Sequence, residues 1–145
     1  MRILPMSAEH IDAVAALERA CFSDPWSADA LQEELDNPPA RFRVAEDENG
    51  AVLGYVGMHH LADEGFITNV AVSPDARRQG VARALMECLT AYGAANDLYR
   101  ITLEVRAGNG PAIALYESLG YVRDGVRPRF YSHPTEDAAI YSLYF

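Results

Sequence analysis

The sequence contains no lysine; all twelve basic residues are arginine, against 21 acidic residues, for a formal net charge of −9. A phosphate-binding P-loop is therefore excluded, since it needs a lysine after its second glycine. An acidic surface repels nucleic acid, so no direct nucleic-acid partner is expected. It favours a cationic partner, such as a basic peptide or an amine. Cysteine is also scarce. Cys21 and Cys88 make neither a disulfide framework nor a metal motif. His10, His59, His60 and His133 lack zinc spacing, and the adjacent pair in a strand would point to opposite faces. No metal is expected. Long apolar runs are missing too, so no segment spans a bilayer. Met1-Arg2-Ile3-Leu4-Pro5 lacks the apolar stretch of a signal peptide. The expected location is cytoplasmic.

What is present is enough for a core. Half of the 145 residues are hydrophobic. There are no repeats, low-complexity tracts or linkers, so one domain over residues 1–145 is expected. Residues 2–6 read as a short strand. Ser7 is placed to cap a helix over 8–20, with Ile11, Val14, Ala15 and Leu17 on one side. Ser27 caps a second helix over 28–36, stopped by Pro38-Pro39. Strands over 41–46 and 51–61 flank Asn49-Gly50, a hairpin turn. A strand over 66–73 precedes a helix over 80–94, whose apolar stripe would bury Cys88 as a free thiol. A strand over 99–105 turns Tyr99, Ile101, Leu103 and Val105 to one face and Thr102 and Glu104 to the other. A helix runs from Pro111 to Gly120, and strands over 121–127 and 138–144 follow. The pattern predicts an α/β (α+β) protein, a mixed sheet with helices on both faces.

The most informative stretch is Val70-Ala71-Val72-Ser73-Pro74-Asp75-Ala76-Arg77-Arg78-Gln79-Gly80-Val81-Ala82-Arg83. A β-branched strand ends at a proline, turns through arginines and a glycine, and enters a helix. The first turn of a helix offers unpaired N–H groups and partial positive charge, and Gly80 lets a ligand approach the backbone. Phosphate or pyrophosphate suits such a place. An ordinary strand-to-helix turn with solvated arginines fits the same residues. The dinucleotide pattern is absent, since no third glycine follows. Downstream, Glu104 is either a strand-end carboxylate poised for chemistry or a partner for Arg106. Tyr116 is either a proton donor or a core ring. Asn109 is either a ligand contact or a helix cap.

Taken together, Asn69-Val70-Ala71-Val72-x-Pro74, Arg77-x-x-Gly80-x-Ala82, Leu103-Glu104-Val105-Arg106-x-x-Asn109 and Ala112-x-x-Leu115-Tyr116-x-x-x-Gly120-Tyr121 resemble the GNAT superfamily of acetyl-CoA-dependent N-acetyltransferases. Phe22 with Pro25-Trp26-Ser27, Arg129-Phe130-Tyr131 and Glu136-Asp137-Ala138 resemble its RimI-type branch, which acetylates the N-terminal alanine of a small-subunit ribosomal protein. The resemblance implies a GNAT fold, a mixed and mostly antiparallel sheet of about seven strands with about four helices, splayed at the acetyl-CoA site. It implies that Val70, Ala71 and Val72 pair with the pantetheine arm. The backbone of Arg78, Gln79, Gly80, Val81, Ala82 and Arg83 would hold the pyrophosphate, and Asn109 would contact coenzyme A. Glu104 would be the general base and Tyr116 the general acid. Trp26 and Tyr131, in aromatic segments outside the cofactor core, are the expected wall of the acceptor groove.

The chemistry is consistent. A free α-amine has a pKa near ~8 and must lose a proton before attacking a thioester. A carboxylate can accept that proton, and a phenol can protonate the leaving thiolate. Neither step needs a metal or a covalent enzyme intermediate. Ala82 stands where many relatives carry a second glycine, and Gly108 replaces the serine expected before Asn109. The tip Ser132-His133-Pro134-Thr135 is short, and in relatives that hairpin helps to shape the acceptor site. A lysine side chain or a small amine as acceptor, or a non-catalytic acyl-CoA-binding module, are the competing readings.

Overall fold

Alternating apolar residues and turn chemistry put most strands where the sequence predicts them. In the computed structural model, which describes residues 1–145, β1 (Arg2–Pro5), β2 (Arg43–Glu46), β3 (Val52–Leu61), β4 (Glu64–Val72), β5 (Arg100–Arg106), β6 (Val122–Tyr131) and β7 (Glu136–Tyr144) form one seven-stranded sheet. The spatial order is β1-β2-β3-β4-β5-β7-β6. Every neighbouring pair is antiparallel except β4 and β5. The expected mixed, mostly antiparallel sheet of about seven strands with about four α-helices is the one observed.

Helices α1 (Ile11–Cys21) and α2 (Ala28–Glu34) cover one face of the sheet, and α3 (Val81–Ala95) and α4 (Gly110–Ser118) the other. Adjacent residues of β3 serve different cores. Tyr55 packs with Val14, Leu17 and Leu31, while Val56 and Met58 pack with Leu85, Met86 and Leu89. Each such fully buried side chain contributes about 1.5–3 kcal/mol. His59 and His60 follow the same alternation. His59 meets Glu34 of α2 at 2.7 Å and His60 meets Tyr92 of α3 at 2.7 Å.

Several boundaries differ from the expected ones. The segment after Ser7 begins as a 3-10 turn over Ala8–His10, and α1 starts at Ile11. His10 causes this. Its buried Nδ1 takes the Ser7 N–H at 3.0 Å while Nε2 meets Glu46 at 2.8 Å. Strand β6 runs past residue 127 to Tyr131, because an irregularity after Arg127 lets pairing resume at Tyr131 and Glu136. Tyr99 precedes β5 and is exposed, edge-on to Tyr144. Cys88 is half-buried rather than buried. No helix is long and apolar enough to cross a membrane.

Candidate active site

Strands β4 and β5 pair over three positions only, Glu64 with Arg100, Gly65 with Ile101 and Phe66 with Thr102. The Arg100–Glu64 ion pair closes that base. Beyond it the two strands share no ladder, and β4 stays paired with β3 alone as far as Val72. The Ser73 N–H donates to the Leu53 carbonyl on β3 at 2.8 Å. By strand alternation Ala71 also turns its N–H and C=O to β3, whereas Val70 and Val72 turn theirs into the gap. The gap is therefore edged by backbone groups that lack a strand partner.

At the end of β4 the chain turns through Arg77 and Arg78 into α3. Gly80 is the N-cap residue, in the left-handed region at φ +76°, and a Cβ there would meet nothing within 4 Å. With no side chain at that position, nothing caps the first turn. The first intrahelical bond runs from Ala84 to Gly80, so the N–H groups of Val81, Ala82 and Arg83 lie ahead of it. A groove of about 310 Å³ opens over this turn, between Val72, Arg78, Gly80 and Ala82 on one side and Pro111 and Leu115 of α4 on the other. These groups can hold an anion. Asn109 caps α4, its side-chain oxygen accepting from the Ala112 N–H at 3.3 Å.

Glu104 and Tyr116 flank the gap from β5 and α4. Leu103 and Val105 are buried against α3 and α4, so Glu104 points to the opposite face, the one that carries Asn69 and Ala71. Its carboxylate pairs with Arg127 of β6, not with Arg106 (Nε to Oε1 2.9 Å). Arg106 instead binds the Ser132 and Pro134 carbonyls at 3.0 and 2.9 Å and stacks under the Tyr131 ring at 4.6 Å. Tyr116 is 7% exposed. Burial, with Tyr131 close by, pushes its phenol up to about 12. Burial and then the Glu104 charge push Tyr131 up to about 12 as well. Tyr131 thus lies within electrostatic reach of Glu104 on one side and of Tyr116 on the other.

Trp26 and Tyr131 do not stack on one another. The Trp26 ring tilts against Phe42 at 6.0 Å, and its backbone N–H donates to Glu18 at 2.9 Å. Glu18 is fully buried and also accepts from Tyr55 at 2.7 Å and Asn69 at 3.0 Å. Sequence reading missed Glu18, which ties the α1–α2 loop to β3 and β4 beside the gap. It also missed Arg127. The loop and the β6–β7 hairpin meet where Asp24 approaches Ser132 at 3.5 Å and His133 at 3.7 Å. Glu9, His10 and Glu46 form the one cluster of metal-ligand type, far along the sheet at β2, and both ring nitrogens of His10 already have partners.

The model of the acetyltransferase (GNAT) family matches residues 11–121. The chain belongs to the GNAT family. It is 36% identical to the putative ribosomal protein bS18-alanine N-acetyltransferase of Bacillus subtilis over 136 residues, 93% of this chain and 89% of the relative. It is also 36% identical to the ribosomal protein bS18-alanine N-acetyltransferase of Escherichia coli K12, over 94% of each chain. The crystal structure of the ribosomal-protein-S18-alanine N-acetyltransferase from Escherichia coli superposes with a TM-score of 0.90 at 31% identity, covering 99% of this chain and 92% of that one. These GNAT relatives are of the RimI type that the sequence resembles. GNAT enzymes use acetyl-CoA, and this chain is an acetyltransferase of that family.

Proposed function

We propose that the protein transfers acetyl from acetyl-CoA to the N-terminal α-amine of an alanine, and that its acceptor is the counterpart of ribosomal protein bS18, which its relatives are named for. The observation that carries the reading is the gap itself. One edge is unpaired backbone, one mouth is an anion groove, and a carboxylate and a phenol flank it. The residues fit acetyl-CoA. Val70 and Val72, with Ala71 between them, would pair with the amides of the pantetheine arm as a neighbouring strand would. The N–H groups from Arg78 to Arg83 would take the pyrophosphate, with Gly80 leaving room for it. Asn109 would contact coenzyme A through the amide nitrogen that its capping role leaves free.

Acetyl-CoA supplies an acetyl group activated as a thioester. Glu104 removes a proton from the α-ammonium, leaving a neutral amine to attack in a ternary complex. Tyr116 hands a proton to the departing sulfur. A buried phenol suits that task, because it stays protonated at neutral pH. Tyr131 forms one wall of the acceptor groove, and Trp26 a wall on the facing loop, its ring against Phe42 and its backbone N–H held by Glu18. The acidic surface favours a basic N-terminal peptide. A cytoplasmic location follows from a ribosomal acceptor.

The test is acetyl-CoA turnover on a short peptide beginning Ala-Arg, beside a second peptide whose α-amine is blocked and which carries an internal lysine. Turnover on the free N-terminus alone is expected. Turnover on the blocked peptide would move the assignment to lysine. Silence on both, with turnover on a polyamine or amino sugar, would move it to small amines.

A further inference from the structure

Glu104 has a single polar partner in the protein, and that partner leaves half of the carboxylate unused. Arg127 Nε meets Oε1 at 2.9 Å. Nothing hydrogen-bonds Oε2. Glu104 retains a quarter of its side-chain exposure, so Oε2 is open to an incoming group.

The reach of Arg127 is built into the sheet. It sits on β6, two strands from β5, with β7 between. Its partner on β7 is Ala138, and the partner of Glu104 on β7 is Ile140. Directly opposed residues share a face, as do residues two apart in one strand. Arg127 therefore crosses β7 over Ala138, a small and fully buried residue, to reach Glu104. Three features hold it there. It occupies the last regular pair of β6 before the ladder is interrupted. Its guanidinium lies 5.6 Å from the Phe130 ring. The turn that follows is fixed by the Arg129 N–H donating to Asp137 at 2.9 Å. Arg106, the nearer arginine in sequence, is spent on the hairpin carbonyls and cannot serve both places.

We infer that Arg127 is a positioning residue for the base: it anchors Glu104 by Oε1 and so presents Oε2 to the acceptor amine. The inference rests on the proposed role of Glu104. A partly exposed carboxylate on a two-methylene stem would otherwise sample several rotamers, few of them aimed at the gap. A salt bridge this exposed adds little to stability, so the value of the contact lies in orientation. The proton released by the ammonium nitrogen arrives at Oε2, and Arg127 keeps all of its own protons throughout. Its positive charge also opposes a second cation nearby, which favours the neutral amine over the ammonium.

A double-mutant cycle tests this. Arg127→Gln, Glu104→Gln and the double variant are assayed on whichever amine the wild type acetylates, with thermal melting as a control for folding. Arg127→Gln should lower kcat about tenfold, a part of the whole general-base contribution, with the KM for acetyl-CoA unchanged. Arg127→Lys should recover part of the rate, since an ammonium can still hold Oε1. In the Glu104→Gln background, Arg127→Gln should change nothing further. A wild-type rate in Arg127→Gln would overturn the inference, as would an equal slowing with and without Glu104. Acceptor preference is read separately in the wild type, so a wrong acceptor would leave the cycle intact. Full activity in Glu104→Gln would overturn the base assignment and this inference with it.

Discussion

Glu104→Gln removes the partly exposed carboxylate that β5 brings to the gap, and kcat should fall by about two to four decades. The loss should shrink as pH rises above ~8, where more of the α-amine is already neutral. Steady-state rates across pH on the Ala-Arg peptide check both points. Tyr116→Phe should slow transfer while leaving acetyl-CoA binding intact, since the phenol makes no hydrogen bond that the fold depends on. Because burial holds Tyr116 near 12, the wild-type rate should show no alkaline decline from this group below pH ~11. A decline near pH 9 would assign the acid to another residue. The places of Glu104 near the end of a strand and of Tyr116 in a helix after a proline were legible in the sequence, while their proposed roles come from the family resemblance. Arg127 and Glu18 were not legible. Their partners lie 23 residues away at Glu104 (127 − 104) and 51 residues away at Asn69, and nothing local marks either one.

At the scale of elements, the turn from β4 into α3 carries the cofactor side of the proposed site. Gly80 holds φ +76° over open space. Gly80→Ala should cost about 1 kcal/mol through backbone strain alone and raise the KM for acetyl-CoA, since the new methyl enters the groove. Melting and donor titration separate the two effects, and an unchanged KM would show that the pyrophosphate lies elsewhere. The sequence predicted this strand–turn–helix unit closely, and the hairpin at Asn49-Gly50 too, because glycine and proline punctuate both. The start of α1 was harder to read. A buried histidine bonded to Glu46, 36 residues on, shapes that turn, and no local propensity encodes it. The length of β6 was likewise hidden, since its continuation depends on where β7 resumes pairing.

For the whole molecule, three buried tyrosines set a limit at high pH. Burial raises Tyr55, Tyr116 and Tyr121, with Tyr116 at about 12. In the unfolded chain each titrates near ~10. Above that pH the unfolded state binds fewer protons than the folded one, so stability falls as pH rises. The contribution is whole below pH ~10 and is lost through the folded values, at up to about 1.4 kcal/mol per pH unit for each tyrosine. Urea midpoints from pH 8 to 12 should be flat at first and then decline steeply. A flat profile throughout would mean that these phenols reach solvent. The order of the seven strands was the least legible feature of all, since the crossing of β7 between β5 and β6 is set by packing and not by any local pattern.

The three-rung junction between β4 and β5 also makes a clock. Backbone amides exchange with solvent deuterium as fast as their hydrogen bonds allow. Val70 and Val72 face an empty edge and should exchange quickly in the free protein. Ala71, turned to β3, should be slow. Saturating coenzyme A should slow the two outer amides and leave the middle one unchanged, so three neighbouring residues would report separately on a bound strand that is not protein. Protection of Ala71 alone would mean that the donor lies outside the sheet.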